Sequence, residues 1–254
     1  MLLIVVLRPR AVGQLLRTPA LWVLVAASGT TNAAFNWGVT IGDVVRVVLL
    51  FYLMPLWAVL LARWLLHEPL TRLAGLRVVL ALAGALIVLR PAGADGALAG
   101  WSLPLPQSLP DWLGIVGGFS FALNNVMLRR EAARPEEGRA LAMFTGGVLV
   151  SGVLATLLAS QGQAPWPPAV QPGWVILAGA LALLFLASNV ALQYGASRLP
   201  ANVTAVVMLS EIVFASASAA WWGGANIGAP LWIGGALIVL AALLSAAQRT
   251  TSQH

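Results

Sequence analysis

The sequence predicts an all-α integral membrane protein, a helical bundle of two inverted repeats with eight transmembrane helices. Three observations carry that prediction. Hydrophobic residues make up 60% of the 254-residue chain and charged residues only 9%, against roughly 25% charged in soluble domains. So little polar surface cannot cover a chain in water, and the lipid bilayer is its expected solvent. The apolar residues fall in long runs separated by Pro, Gly and charge, and each run is read as a helix, which satisfies its own backbone groups in lipid. Finally, one octet occurs twice: Thr31-Asn32-Ala33-Ala34-Phe35-Asn36-Trp37-Gly38 and Ser188-Asn189-Val190-Ala191-Leu192-Gln193-Tyr194-Gly195, 157 residues apart. Hydroxyl, amide, small apolar, Ala, large apolar, amide, aromatic and Gly recur in that order, so the chain has two related halves.

Taken in order, Met1 to Leu7 is an apolar stub, too short to cross ~30 Å of hydrocarbon. Arg8 and Arg10 follow it, the reverse of a secretory signal peptide's charge order. Apolar runs long enough to span lie at about 20–41, 44–66, 73–90, 112–128, 140–159, 174–196, 201–223 and 229–247. Gly42-Asp43, Glu68-Pro69, Pro110-Asp111, Pro135, Pro165 to Pro172, Pro200 and Pro230 mark breaks or first turns between them. Pro91 to Pro110, rich in Gly, Ala and Pro, is a linker between the halves.

All fourteen basic residues are Arg. With the start of the chain in the cytoplasm, twelve of them lie at cytoplasmic helix ends, and only Arg46 and Arg90 lie toward the outside. The net charge of +6 is therefore topogenic, with no nucleic-acid partner implied, and both termini are expected inside. The span ending near Gly38 then runs outward and the one ending near Gly195 runs inward. The copies are inverted across the membrane plane, as in many secondary transporters. The expected organisation is a first repeat at 1–90 (three spans plus the stub), a periplasmic linker at 91–110 and a second repeat of five spans at 111–254. By the 157-residue offset, two spans of the second repeat, 112–128 and 140–159, have no counterpart in the first. A misassigned start, a truncated gene and a natural short form completed by homodimerisation all fit.

The run Leu49 to Leu89 has a mid-helix Pro55, a helix-ending Glu68, and Gly75 and Gly84 on the next span. It resembles the EamA-type proteins of the drug/metabolite transporter superfamily. The second copy, Met208 to Leu244, keeps the shape but has Ile212 and Ala225 where Pro and Glu would stand. The resemblance implies a bacterial inner-membrane carrier, in the family's usual pattern ten helices as five plus five inverted repeats, moving amino acids, metabolites or drugs. As a whole the stretch looks closest to the amino-acid exporters.

Several residues could meet a substrate. Glu211 is the only charged residue from Leu199 to Gln248 and sits midway along its span, where a carboxylate costs about 2.5–3.5 kcal/mol on insertion scales. Thr204, Met208, Ala215 and Ser218 share its helical face. It is either a protonatable or cation-contacting group in a cavity, or a neutral Glu bonded to a neighbouring helix. Arg46, three residues after Asp43, either snorkels beside a helix-capping Asp or binds a substrate carboxylate at the outer mouth. Asn32 with Asn36, and Asn189 with Gln193, are amide pairs on single helix faces, which serve helix–helix hydrogen bonds or a substrate. Asn124 and Asn125 are adjacent, so at least one should point inward. Trp37, Tyr52, Trp57, Tyr194 and Phe214 could line an aromatic cavity or serve interfacial belts and packing. Pro55 is expected to kink its span, either as a gating bend or as simple packing. Gly38, Gly42, Gly114, Gly117 and Gly118 are expected at close helix contacts.

Enzyme classes have little support. The two histidines, His67 and His254, lie in a loop and at the last residue, far from any buried Ser. No metal-ligand cluster and no P-loop occurs, and cysteine is absent. No cofactor is expected. The function expected is secondary transport of a small molecule by alternating access; the alternative is a non-transporting membrane subunit or remnant.

Overall fold

The computed structural model describes residues 2–69, 71–88, 106–166, 169–208, 211, 214 and 229–251. Among them every regular element is helical: α1 Leu2–Leu7, α2 Arg10–Arg17, α3 Pro19–Ile41, α4 Val44–Phe51, α5 Met54–Leu65, α6 Arg72–Val88, α7 Leu109–Arg130, α8 Glu136–Ser160, α9 Pro172–Arg198, α10 Ala201–Met208 and α11 Ala229–Thr251. Most of the linker, and Ala215 and Ser218, lie outside the described residues. The stretches 46–65, 136–160 and 172–198 are each long and apolar enough to cross a bilayer, and α2 with α3 adds a fourth if that bent pair is one span. The other helices lie over the remaining apolar runs but are shorter or more polar in their described lengths.

The chain before the first long helix departs from the sequence reading. It is not merely a stub: α2 follows α1 and meets α3 at 96°. Pro19 explains the bend, because a residue before proline is driven out of the helical region, and Thr18 is extended (φ −117°, ψ 102°). Ala11 and Leu15, four residues apart, are buried where α2 packs on α8. Arg10 and Arg17 are exposed. Such a two-faced helix lies across the end of the bundle as an interfacial helix would.

At the α3–α4 turn, Asp43 caps the next helix through an Oδ1 that accepts from the Arg46 backbone N–H at 2.8 Å. The span at 44–66 is interrupted after Phe51, and Pro55 opens α5. Proline has no N–H for the Phe51 carbonyl four residues back, so that carbonyl is left to the surroundings. Helix α7 meets it at Gly118, where even a Cβ would collide with the Phe51 carbonyl oxygen. Gly114 is close as well: a Cβ there would lie 2.8 Å from the Val47 carbonyl oxygen. Gly75, by contrast, has nothing nearby, whereas Gly84 meets α11 at Gly234.

Two clusters form the core. One joins α5, α6, α7 and α11 through Met54, Ala58, Ala81, Ala122 and Ile238. The other joins α2, α3, α7, α8 and α9 through Leu15, Leu21, Leu24, Leu128, Leu141 and Ala196. Helix α3 packs on α7 and α8, and α6 on α11. Displaced by the repeat offset, the starts of α4 and α6 (Val44, Arg72) fall on the starts of α10 and α11 (Ala201, Ala229). Helix α9 is the counterpart of α3 but keeps most of its apolar side chains exposed, Leu183 and Leu184 among them.

Candidate functional site

A cavity of about 660 Å³ opens between α3, the α4–α5 break, α7, α8, α9 and α10. Its size is that of sites for small molecules, ~300–1,000 Å³. The two octets face each other across it. Thr31, Asn32, Phe35 and Asn36 contribute from the first copy, and Ser188, Asn189 and Leu192, at matched positions, from the second. The break supplies Phe51, Tyr52 and Met54, α7 supplies Phe121 and Asn124, and Met208 and Glu211 complete the wall. A side pocket of about 270 Å³ between α3, α8 and α9 shares Asn32, Asn36 and Asn189 with it.

Of the two roles open to the repeated amides, helix–helix hydrogen bonding is not seen for Asn32 and Asn189 among the described residues. Asn32 Nδ2 donates to the Ser28 carbonyl of its own helix at 2.9 Å, and Asn189 Nδ2 donates to the Phe185 carbonyl of its own helix at 2.9 Å. Both copies use one amide proton in the same way and present the rest of the side chain to the cavity. The interhelical bond here comes from Ser28, whose Oγ donates to the Met143 carbonyl of α8 at 3.0 Å. Asn124 is 3% exposed, and its Oδ1 has no partner among the described residues. On a polar wall such an oxygen is an acceptor waiting for a donor.

Glu211 is exposed, lines the cavity and is the one acidic residue among the described residues that do so. No arginine among the described residues lines it. Arg46 is engaged elsewhere: its Nε lies 2.7 Å from Asp111 Oδ1. The other Asp111 oxygen accepts from the backbone N–H groups of Gln107 at 2.9 Å and Ser108 at 3.2 Å. Arg46 thus ties α4 to the start of α7, away from the cavity wall.

The remaining candidates also sit apart from the cavity. Asn125 is fully buried with neither side-chain polar atom partnered among the described residues. Gln193 is buried, breaking the match with Asn36. Trp57 packs edge-on against Phe119 at 5.7 Å. Tyr194 is half-exposed beneath the Arg198 guanidinium, 3.5 Å from the ring centroid. Of the aromatics named from sequence only Tyr52 lines the cavity. The aromatic wall is Phe35, Phe51, Phe121 and Phe185, with Phe35 and Phe51 4.8 Å apart and Phe51 and Phe121 5.7 Å apart. Phe35 was legible within the octet, at the large apolar position; Phe121 and Phe185 carry no such signal.

These helices and this central cavity define an all-α membrane protein with room for a solute between its helices. Residues 1–90 match the model of the EamA-like transporter family, and that segment contains the whole run Leu49 to Leu89 whose residues resemble the family. Thirteen chains of solved structures also match. One, a crystal structure of a protein, superimposes with a TM-score of 0.70 at 21% identity, covering 92% of this chain and 77% of its own. That likeness is one of fold. No curated protein matches the chain. The chain therefore carries an EamA-like transporter pattern in its first ninety residues, within an all-α membrane fold shared with solved structures.

Proposed function

We propose that the chain is a secondary carrier of small solutes in a bacterial inner membrane, with both termini cytoplasmic. Residues 1–90 and 111–254 act as two inverted repeats joined by 91–110, and they rock about the central cavity in alternating access. The observation that carries this reading is the cavity itself, walled by both copies of the octet together with Glu211. Amide groups from Asn32, Asn36, Asn124 and Asn189 offer donors and acceptors, the phenylalanines an apolar wall, and Glu211 a lone carboxylate. That combination suits a solute with an ammonium group and an apolar body, such as an amino acid or a cationic drug-like molecule. Glu211 is the proton- or cation-sensing group, and the Pro55 break is the bend about which the wall moves.

The test is counterflow into reconstituted vesicles loaded with amino acids or cationic drugs. Wild type exchanges at least one class, and Glu211→Gln lowers the rate about tenfold or more, as loss of a charge-assisted contact does. Equal inertness of both across all solutes would remove the carrier reading and leave a subunit with packing roles.

A further inference from the structure

A second cavity, of about 690 Å³, lies at the opposite end of α7 from Asp111, at the end where the arginine bias puts the cytoplasm. The end of α7, the turn after it, the start of α8 and the end of α9 build it. Its wall carries Arg129, Arg134, Arg139 and Arg198 against one carboxylate, Glu136. Arg129 Nη1 donates to the Ser197 carbonyl at 3.0 Å, fixing α9 to α7. Arg134 pairs with Glu131, just outside the wall. Arg198 reaches Glu136 Oε1 at 3.4 Å.

The positive-inside rule accounts for exposed arginines at a cytoplasmic end. It does not account for Arg139, which is only 1% exposed. Its Nη1 donates to the Leu128 carbonyl at 3.3 Å, its Nη2 stands 4.0 Å from Glu136 Oε1, and its Nε has no partner among the described residues. A buried guanidinium held by one long hydrogen bond and one distant carboxylate is under-satisfied. The two contacts of Glu136, to Arg139 and Arg198, are both long as well. An anion entering the cavity can supply what they lack.

We propose that this pocket binds a phosphate group, from an anionic lipid headgroup or from a soluble phosphate, with Arg139 as the buried anchor and Arg198 at the rim. Arginine suits that role because its planar fork meets phosphate oxygens two at a time, and basic pockets between membrane helices on the cytoplasmic side take anionic headgroups. Glu136 is the competing carboxylate that the phosphate displaces. The site is separate from the central cavity and does not depend on the transport reading.

The test measures binding to purified full-length protein by thermal shift in detergent and by lipid exchange in nanodiscs. One arm titrates dioleoylphosphatidylglycerol against dioleoylphosphatidylcholine, and the other titrates inorganic phosphate. Saturable binding in either arm supports the site, and the arm that responds names the source. Arg139→Gln and Arg198→Gln each weaken it about tenfold or more, and Glu136→Gln tightens it severalfold. The Glu136 variant keeps the proposal falsifiable should Arg139→Gln fold poorly. Absence of saturable binding in both arms overturns the proposal. So does weakening by Arg130→Gln equal to that by Arg198→Gln, which would mean diffuse surface charge, or no tightening in Glu136→Gln.

Discussion

Gly146 and Gly147 are neighbours on α8, and they predict opposite responses to the same small change. A Cβ at Gly146 would collide with the Val25 carbonyl oxygen and lie 2.6 Å from Ser28 Oγ, both on α3. Backbone cannot rotate out of the way, so Gly146→Ala must push α3 and α8 apart until ordinary contact is restored. Overpacking of this kind costs about 1–3 kcal/mol. The displacement also strains the 3.0 Å bond from Ser28 to the Met143 carbonyl, a neutral bond worth about 1 kcal/mol. Against this, alanine recovers up to about 1 kcal/mol of helix propensity. The net expectation is a loss of roughly 1–3 kcal/mol. A Cβ at Gly147 meets nothing within 4 Å, so Gly147→Ala keeps only the propensity gain, at most about 1 kcal/mol. Equilibrium unfolding in mixed detergent micelles measures both. If the two variants shift stability in the same direction by similar amounts, the close crossing of α3 on α8 is wrong.

Other expectations follow from single contacts. Asp111→Ala strands the backbone N–H groups of Gln107 and Ser108 and should cost on the order of 1–3 kcal/mol in the same unfolding assay, whereas Asp43→Ala removes one exposed cap and should cost about 1 kcal/mol. Asn125→Leu removes a buried amide without partners among the described residues; it should leave transport unchanged and stability equal or higher, because an apolar side chain of similar size has no polar atoms to satisfy. Asn32→Ala and Asn189→Ala should each raise the transport KM about three- to tenfold, the worth of one neutral hydrogen bond, and by similar factors. Pro55→Ala returns an N–H to the Phe51 carbonyl; unfolding should show equal or greater stability while counterflow slows.

Much of the fold was legible because membrane helices announce themselves by length and apolarity. The predicted run at 44–66 brackets α4 and α5 with their break, and the octet paired α3 with α9. The cavity was legible where a polar residue recurs on an apolar face, as with Asn32 and Asn189, or stands alone, as with Glu211. It was not legible where function depends on which way a side chain turns. Asn124 and Asn125 are indistinguishable in sequence, yet one reaches the cavity and the other is sealed. Arg46 could not be assigned without knowing that Asp111, sixty-five residues on, would meet it. The twelve arginines at cytoplasmic helix ends were read as topogenic; Arg77 and Arg139 among them are instead buried, which no local pattern signals. Gly29 and Gly146 were also missed, because nothing in either helix alone shows that the two will cross there.

The absence of cysteine from the chain permits a direct test of the claim that both octets face one solute cavity. Single variants Asn32→Cys, Asn189→Cys and Leu183→Cys, the last on the exposed apolar side of α9, are probed in membranes with a small hydrophilic thiol reagent. Cys at 32 and at 189 should both react, a transported solute should protect both, and Cys at 183 should stay unlabelled in lipid. Protection at one octet and not the other, or labelling at 183 equal to that at 32 and 189, would contradict a shared cavity.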